Sequence, residues 1–256
     1  MQDPNQNVAQ LSVITTLIGT VQIWQDPPLA DEALRRWVAG RPPGSVSPLS
    51  PQEAPGPLNR WMNVPPRWVR SRRDVSHESE TSPKPFDAFP PKATSLIWHV
   101  RPDRWRVETT GEGGLETGVL VIDGGRGEFA LASRSDDGTE RMDAGKTSPL
   151  GLHAIVAGMI DAEQILGLMN LERAGAAVHA GRQCTRAIGS LLDPDAFPVW
   201  PADSYDLLVD NTCGIILRFE AGSAEGPIAG AEFTALRVGA PIAEDTFTLS
   251  APRGAA

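Results

Sequence analysis

Apolar and polar side chains alternate in short runs along most of the second half of the chain, and turn-forming residues separate these runs. The runs 95–100 and 105–110 flank an Arg-Pro-Asp-Arg turn, and 118–122 and 128–133 flank Asp-Gly-Gly-Arg-Gly. Proline fixes φ, aspartate bonds its own backbone and glycine accepts a positive φ, so these sequences predict β-hairpins. Further strands are predicted at 138–143, 176–180, 182–191, 205–210, 215–220, 229–238 and 245–249.

Two segments in the middle of this region have helical spacing instead. Residues 150–159 form the first, and 161–172 the second. In the second, Ile165, Leu168, Met169 and Glu172 follow the i, i+3, i+4, i+7 pattern, and Asp161 is the predicted N-cap. About ten strands with few helices and no β-α-β alternation predict an α+β fold with a mainly antiparallel, curved sheet that helices cover.

The first 91 residues divide near residue 40. Residues 1–40 contain a strand-like stretch that ends at Trp24, followed by helical spacing at 29–39 with Asp31 near its start. Residues 41–91 hold 12 of the 23 prolines, which predicts little regular structure. Four aromatic residues also lie there, which favours a long loop that packs down at its aromatic points: Trp61, Trp68, Phe86 and Phe89.

Charge and composition narrow the classes of partner. The chain has 256 residues, 41% of them hydrophobic, and carries a net charge of −9. An acidic chain argues against nucleic acid as the main partner. No stretch approaches the roughly 20 apolar residues of a membrane span, and no signal peptide is recognisable, so the sequence as written predicts a cytoplasmic protein. A removed signal or misassigned start would make it extracytoplasmic.

Reactive side chains form no catalytic or metal-binding motif in the sequence. The four histidines lack ligand spacing, no G-x-S-x-G elbow is present, and the paired carboxylates fall in predicted turns. We therefore predict a non-enzymatic protein without a cofactor or metal. Cys184 and Cys213 lie in consecutive strand segments, where a disulfide is one alternative and two free thiols the other. A basic cluster interleaved with tryptophans is either a structural patch or a contact for a headgroup or partner: Arg60, Arg67, Arg70, Arg72 and Arg73.

The order of several short motifs resembles the LolA-like group, which includes lipoprotein carriers, mycobacterial lipoprotein relatives and RseB-type sensor domains. The motifs are Trp105-Arg106-Val107-Glu108 after the Pro-Asp turn, Asp123-Gly124, the acid-Ala-x-x-Ile-Leu pattern at 161–166, Ala180-Gly181-Arg182, Leu207-x-Val209-Asp210 with Gly214-x-x-Leu217-Arg218, and Glu232-Phe233-Thr234. The resemblance covers about 92–252, with a weaker match at 8–24. It implies an unclosed half-barrel covered by helices, with the main unit at 92–256, residues 1–40 contributing to it and 41–91 inserted.

The resemblance also implies an apolar cavity for acyl chains, and hence a carrier or sensor of a lipid or lipoprotein. Met142, Met159 and Met169 suit such a cavity because their unbranched thioethers adapt to ligands of varied shape. The predicted lining is Ile97, Leu120, Ile122, Met159, Ile165, Leu168, Met169 and Leu217. The alternative is a dry core in a regulatory module that binds a protein partner through its sheet edge or the insertion. Arg182 and Asp210 are expected to form an ion pair or turn anchor.

Overall fold

The computed structural model describes residues 14–39, 92–102, 104–111, 117–123, 128–134, 140–145, 154–192, 200 and 202–248. The predicted insertion at 41–91, with its basic and aromatic cluster, lies outside these residues. The helices are α1 (Pro27–Ala39), α2 (Ala154–Ile160), α3 (Glu163–Leu166) and a 3-10 helix (Glu244–Phe247). The strands are β1 (Thr16–Gln25), β2 (Lys92–Val100), β3 (Arg104–Gly111), β4 (Thr117–Asp123), β5 (Glu128–Arg134), β6 (Glu140–Gly145), β7 (Met169–His179), β8 (Arg182–Leu191), β9 (Ser204–Asp210), β10 (Ile216–Ser223) and β11 (Gly226–Val238).

All eleven of these strands form one sheet in the order β6-β5-β4-β3-β2-β1-β11-β10-β9-β8-β7. Each neighbouring pair is antiparallel, and β6 and β7 stand at opposite edges, so the sheet does not close. β1 lies between β2 and β11 and thereby joins the two runs of hairpins. The predicted α+β class, with a curved, unclosed, antiparallel half-barrel, is confirmed.

Strand alternation gives the sheet an apolar inner face. Leu17 and Val21 of β1 are fully buried, and the intervening Gly19 pairs with Ile97 of β2, which in turn pairs with Val107 of β3. Partners directly opposite each other in an antiparallel pair project to the same side, so these residues share one surface. The inner face runs on through Phe233 of β11, which pairs with Val21.

The outer face carries charged residues on the side of the sheet that ends in β7. Arg186 of β8 donates to both carboxylate oxygens of Asp206 on β9, at 3.1 and 2.7 Å. Arg218 and Glu220 of β10 form a second ion pair nearby. Polar residues on one side and apolar residues on the other are the pattern expected of an antiparallel sheet with a single covered face.

α2 and α3 belong to the apolar core and form its helical cover. Every residue of α2 from Ile155 to Ile160 is buried, and α2 contacts both β10 and α3. Gly158 makes the close approach of the two helices possible, because a Cβ at this position would lie 3.0 Å from Cδ1 of Ile165.

The predicted helix over 161–172 is wrong in its second half. α3 ends at Leu166, and β7 begins at Met169. The helical spacing of Leu168, Met169 and Glu172 is overridden by pairing of β7 with β8, in which Met169 lies opposite Leu191. The N-cap of α3 is Ala162, without a side-chain hydrogen bond, so the predicted capping role of Asp161 is also wrong.

Two other predictions are corrected near the chain's described ends. The helix predicted at 29–39 begins two residues earlier, at Pro27, and Asp26 caps it by accepting from the backbone N–H of Leu29 at 3.1 Å. Prolines fit this first turn because its N–H groups have no intrahelical partner. The strand predicted at 245–249 is the 3-10 helix, which packs on β3 instead of pairing in the sheet.

Candidate functional site

Seven of the eight predicted lining residues lie together in one buried cluster between the sheet and its helical cover. Ile97, Leu120, Ile122 and Leu217 come from strands, Met159 and Ile165 from the helices, and Met169 from the start of β7. None of the seven exposes more than 9% of its surface. Leu168 is half-buried in the turn after α3 and lies outside the cluster.

Aromatic residues that are missing from the predicted lining widen this cluster. Phe219 joins two of them, with ring centroids 5.6 Å from Tyr205 and 6.3 Å from Trp200. The Tyr205 hydroxyl donates to the carbonyl oxygen of Trp200 at 3.0 Å, which fixes this group of rings. Strand alternation around Leu207 and Phe219 was the signal that could have identified Tyr205.

His99 and Trp105 place polar ring nitrogens on the otherwise apolar inner face. Their rings stack with centroids 3.8 Å apart, and Nδ1 of His99 lies 3.1 Å from the carbonyl oxygen of Arg104. Burial lowers the pKa of His99 to about 4, so the imidazole is neutral at pH 7. Ile97 and His99 have the same parity on β2, and both face inward.

A second group of polar side chains is the pair of Arg182 and Asp210, which was expected to be structural. Arg182 Nε donates to Oδ2 of the buried Asp210, whose Oδ1 accepts from the backbone N–H groups of Thr212 and Cys213 at 2.7 and 2.9 Å. Burial alone raises the pKa of Asp210, but these hydrogen bonds outweigh it and lower the pKa overall. Asp210 thus both pairs with Arg182 and anchors the β9–β10 turn, as expected.

Both cysteines are buried free thiols. Burial raises the pKa of the Cys213 thiol to about 11 and also raises that of Cys184. A thiol whose pKa lies so far above neutrality has almost no thiolate at pH 7 and is a poor nucleophile. Among the described residues, no group of three or more histidine, cysteine, aspartate or glutamate side chains could hold a metal ion.

The outer face carries a groove of about 200 Å³ and, beside it, a clasp for the C-terminal segment. The groove is lined by Ile18, Gly19, Thr20, Leu96, Trp98, Ala235, Leu236 and Arg237. The clasp is centred on the buried Arg106, whose Nη1 donates to the carbonyl oxygens of Thr246 and Thr248 at 3.1 and 3.0 Å.

Comparison with known proteins gives structural likenesses only. No family model matches the sequence, and no curated protein matches it either. Similar solved structures include the MucA/MucB complex from Pseudomonas aeruginosa, at 15% identity and a TM-score of 0.47 over 97% of this chain and 60% of the matched chain. An uncharacterized conserved protein from Thermus thermophilus has 10% identity and a TM-score of 0.45, covering 99% of this chain and 96% of that one.

A third likeness is a putative outer membrane lipoprotein-sorting protein domain from Vibrio parahaemolyticus, at 7% identity and a TM-score of 0.31 over 95% of this chain and 94% of that one. MucB and a lipoprotein-sorting domain are thus among the structures that the chain is similar to. The chain spans only about 60% of the length of the MucB chains. These likenesses are weak, so we base the function proposed below on the residues of this chain.

Proposed function

We propose that this protein binds an amphiphile, either a lipid or the acyl part of a lipoprotein, between the inner face of its sheet and the α2–α3 cover. It acts as a carrier or a sensor and performs no chemistry on its ligand. The observation that carries the proposal is the composition of the cover: α2 reads Ala-Ile-Val-Ala-Gly-Met-Ile and is held against an apolar face.

An acyl chain can take the place of α2 and α3 on the apolar face of the sheet, because contacts between apolar groups are non-directional. Burial of apolar area contributes roughly 25 cal/mol per Å², whether the partner is a helix or a hydrocarbon chain. The lining residues are almost completely shielded, so a ligand can reach them only if α2 and α3 move away from the sheet. The proposal therefore includes two states, a closed cover without ligand and a displaced cover with it.

The covering helices have the attachments that such a movement requires. α3 is a single turn of four residues, and the backbone N–H of Leu192, just after β8, donates to the carbonyl oxygen of Leu168 at 2.9 Å. This hydrogen bond ties the end of the cover to the β7–β8 hairpin, while the helices themselves pack through apolar side chains. The cover can then swing about the Leu168 end without breaking a strand pair.

Native mass spectrometry of the purified protein, with solvent extraction of bound material, tests this proposal. We expect a co-purifying lipid, and saturable binding of a fluorescent fatty acid by protein from which that lipid has been removed. Extracts without lipid, together with no saturable binding by folded protein, would contradict the proposal.

Fractionation of the producing cells decides between a cytoplasmic and an extracytoplasmic carrier. A soluble cytoplasmic fraction would match the prediction from the sequence as written, and an extracytoplasmic one would match the alternative of a removed signal. None of the helices in the described ranges is long and apolar enough to cross a membrane.

A protein-interaction module is the second candidate, favoured by the free edge of the sheet. β7 pairs only with β8 among the described strands, and its Val178 is 65% exposed. An uncovered edge strand can accept an extended peptide from another chain. Deletion of 41–91 and charge substitution at Val178 discriminate between the candidates, because an acyl carrier keeps its ligand in both variants and an interaction module loses its partner in at least one.

A further inference from the structure

Two buried hydrogen-bond donors at one end of the inner face have no acceptor in the part of the chain that the structure describes. They are Nε1 of Trp105, whose side chain is only 4% exposed, and Nε of Arg101. Buried donors are nearly always paired, and an unpaired one costs about 1–3 kcal/mol. Two of them at the same end of an apolar surface are available to the acceptor oxygens of a ligand.

Arg101 and Trp105 both interact with His99. The His99 ring stacks on Trp105; burial is the main cause of the low pKa of His99, and the positive charge of Arg101 adds to it. Asp161, at the junction of α2 and α3, raises that pKa, but its effect is smaller than that of Arg101. Arg101 and Asp161 thus act on His99 in opposite directions.

The neutral imidazole does not compete for an incoming anion. Its Nδ1 faces the carbonyl oxygen of Arg104, and the ring contributes its face to Trp105. Ser95 and Thr109, on the same surface, satisfy each other through a hydrogen bond of 3.0 Å. Among the described residues at this end, Nε of Arg101 and Nε1 of Trp105 therefore remain to offer hydrogens to a ligand.

We propose that Arg101 and Trp105 bind the carboxylate of a long-chain fatty acid whose hydrocarbon tail lies along the inner face toward Ile97, Val107 and Leu120. This inference rests on the proposed function and names its ligand class. A carboxylate has two acceptor oxygens and one negative charge, which match two N–H donors and one cation. An ester carbonyl could accept from the indole but would leave the guanidinium charge unpaired, so the acid is the preferred form.

The test compares three probes of equal chain length: palmitic acid, methyl palmitate and hexadecanol, titrated into lipid-free protein. We expect the acid to bind at least about 10-fold more tightly than the ester, which corresponds to about 1.4 kcal/mol. Arg101→Gln and Trp105→Phe should each reduce this ratio to below about 3-fold, or roughly 0.7 kcal/mol. Because the ratio compares two ligands on the same protein, partial loss of folded material lowers both affinities and leaves the ratio unchanged.

Trp98→Phe is the matched control. Trp98 is also an indole at this end of β2, but it is half-buried on the outer face, where it lines the groove and lies outside the apolar cluster. This variant should keep the preference for the acid. Equal binding of acid, ester and alcohol would overturn the carboxylate site and leave acyl binding intact. No saturable binding of any of the three would overturn the proposed function itself.

Discussion

His99 on β2 and Trp105 on β3 stack directly across the strand pair, with their ring centroids 3.8 Å apart. The pairing places a histidine of strongly lowered pKa beside an indole whose N–H has no acceptor among the described residues. Asp161, at the junction of α2 and α3, acts on this histidine and raises its pKa against the stronger lowering by burial.

The first prediction concerns the pH dependence of stability. The pKa of His99 is about 4 in the folded protein and 6.5 in the unfolded chain, so between these values the unfolded chain binds more protons. Stability should therefore fall as the pH drops from about 6.5 to about 4, by roughly 3 kcal/mol in total from this group. Urea denaturation at several pH values measures the effect.

His99→Phe is the control for this prediction, since it keeps a ring against Trp105 and removes the titrating group. The variant should lose most of the pH slope in that window, even if it is less stable at pH 7. Arg101 and Asp161 are the charged residues that act on His99, and both remain in the variant. A slope as steep as that of the parent protein would therefore show that groups other than His99 cause it.

The second prediction separates the two roles of Asp210. Asp210→Asn removes the negative charge opposite Arg182 but keeps an oxygen for the N–H groups of Thr212 and Cys213, whereas Asp210→Ala removes both. We expect Asp210→Ala to destabilise by about 3–5 kcal/mol, as for other broken buried pairs, and Asp210→Asn by clearly less. Chemical denaturation curves for both variants give the comparison. Equal losses would mean that the turn anchor contributes nothing.

The third prediction concerns the clasp on the outer face. Arg106→Met keeps most of the apolar stem but removes the donors to the carbonyl oxygens of Thr246 and Thr248, together with the ion pair with Glu108. It should cost about 2–3 kcal/mol and make the C-terminal segment sensitive to protease. Arg104→Met is the matched control, because Arg104 contacts the same segment through the exposed Glu244 and the ring of Phe247, and it should cost clearly less than Arg106→Met. Similar protease sensitivity in both variants would contradict a special role for Arg106.

The fourth prediction tests the contact between the covering helices. Gly158→Ala adds a Cβ only 3.0 Å from Cδ1 of Ile165, so crowding should offset the gain in helix propensity. In an Ile165→Val background that methyl group is absent, and Gly158→Ala should be more favourable by at least about 0.5 kcal/mol. A double-mutant cycle with Ile97→Val as the unrelated background measures this coupling. Identical effects in both backgrounds would show that the two helices do not pack as described.

Burial on the inner face was predictable wherever it follows from the alternation of side chains along a strand. Ile97, Leu120 and Ile122 sit in hairpins whose turn residues fix the register, so their parity alone indicated burial. Leu217 is buried although β10 has a register shift between Ile216 and Arg218, which sequence spacing does not show. Burial of Leu217 follows from the position of this bulge in the core.

The cover was harder to predict because local spacing and long-range pairing compete there. Residues 161–172 have the period of a helix, yet the chain extends from Met169 because β7 pairs with β8 along its 11 residues. Local propensity is a weak prior that tertiary pairing routinely overrides. The same reason explains Leu168, which the helical pattern placed on the apolar stripe and the turn after α3 leaves half-buried.

The polar end of the site could not be recognised from sequence at all. The order of His99, Arg101 and Trp105 in the sequence does not show that two donors lack an acceptor among the described residues. Whether a donor finds an acceptor depends on which carbonyl groups of the neighbouring strands lie within reach. The sequence context of His99 is equally typical of a satisfied histidine and of one at the rim. The structure buries it, because its parity matches that of Ile97 on the covered side.

Binding between sheet and cover is tested most directly by NMR of protein labelled with ¹³C at the methionine methyl groups. Met159 is completely buried on α2, and the chain has only five methionines, so its signal can be assigned with a Met159→Leu variant. Titration with oleate should shift or split the Met159 signal and saturate at one ligand per protein. A Met159 signal that stays unchanged at saturating oleate, in protein that remains folded, would contradict acyl binding beneath the helices.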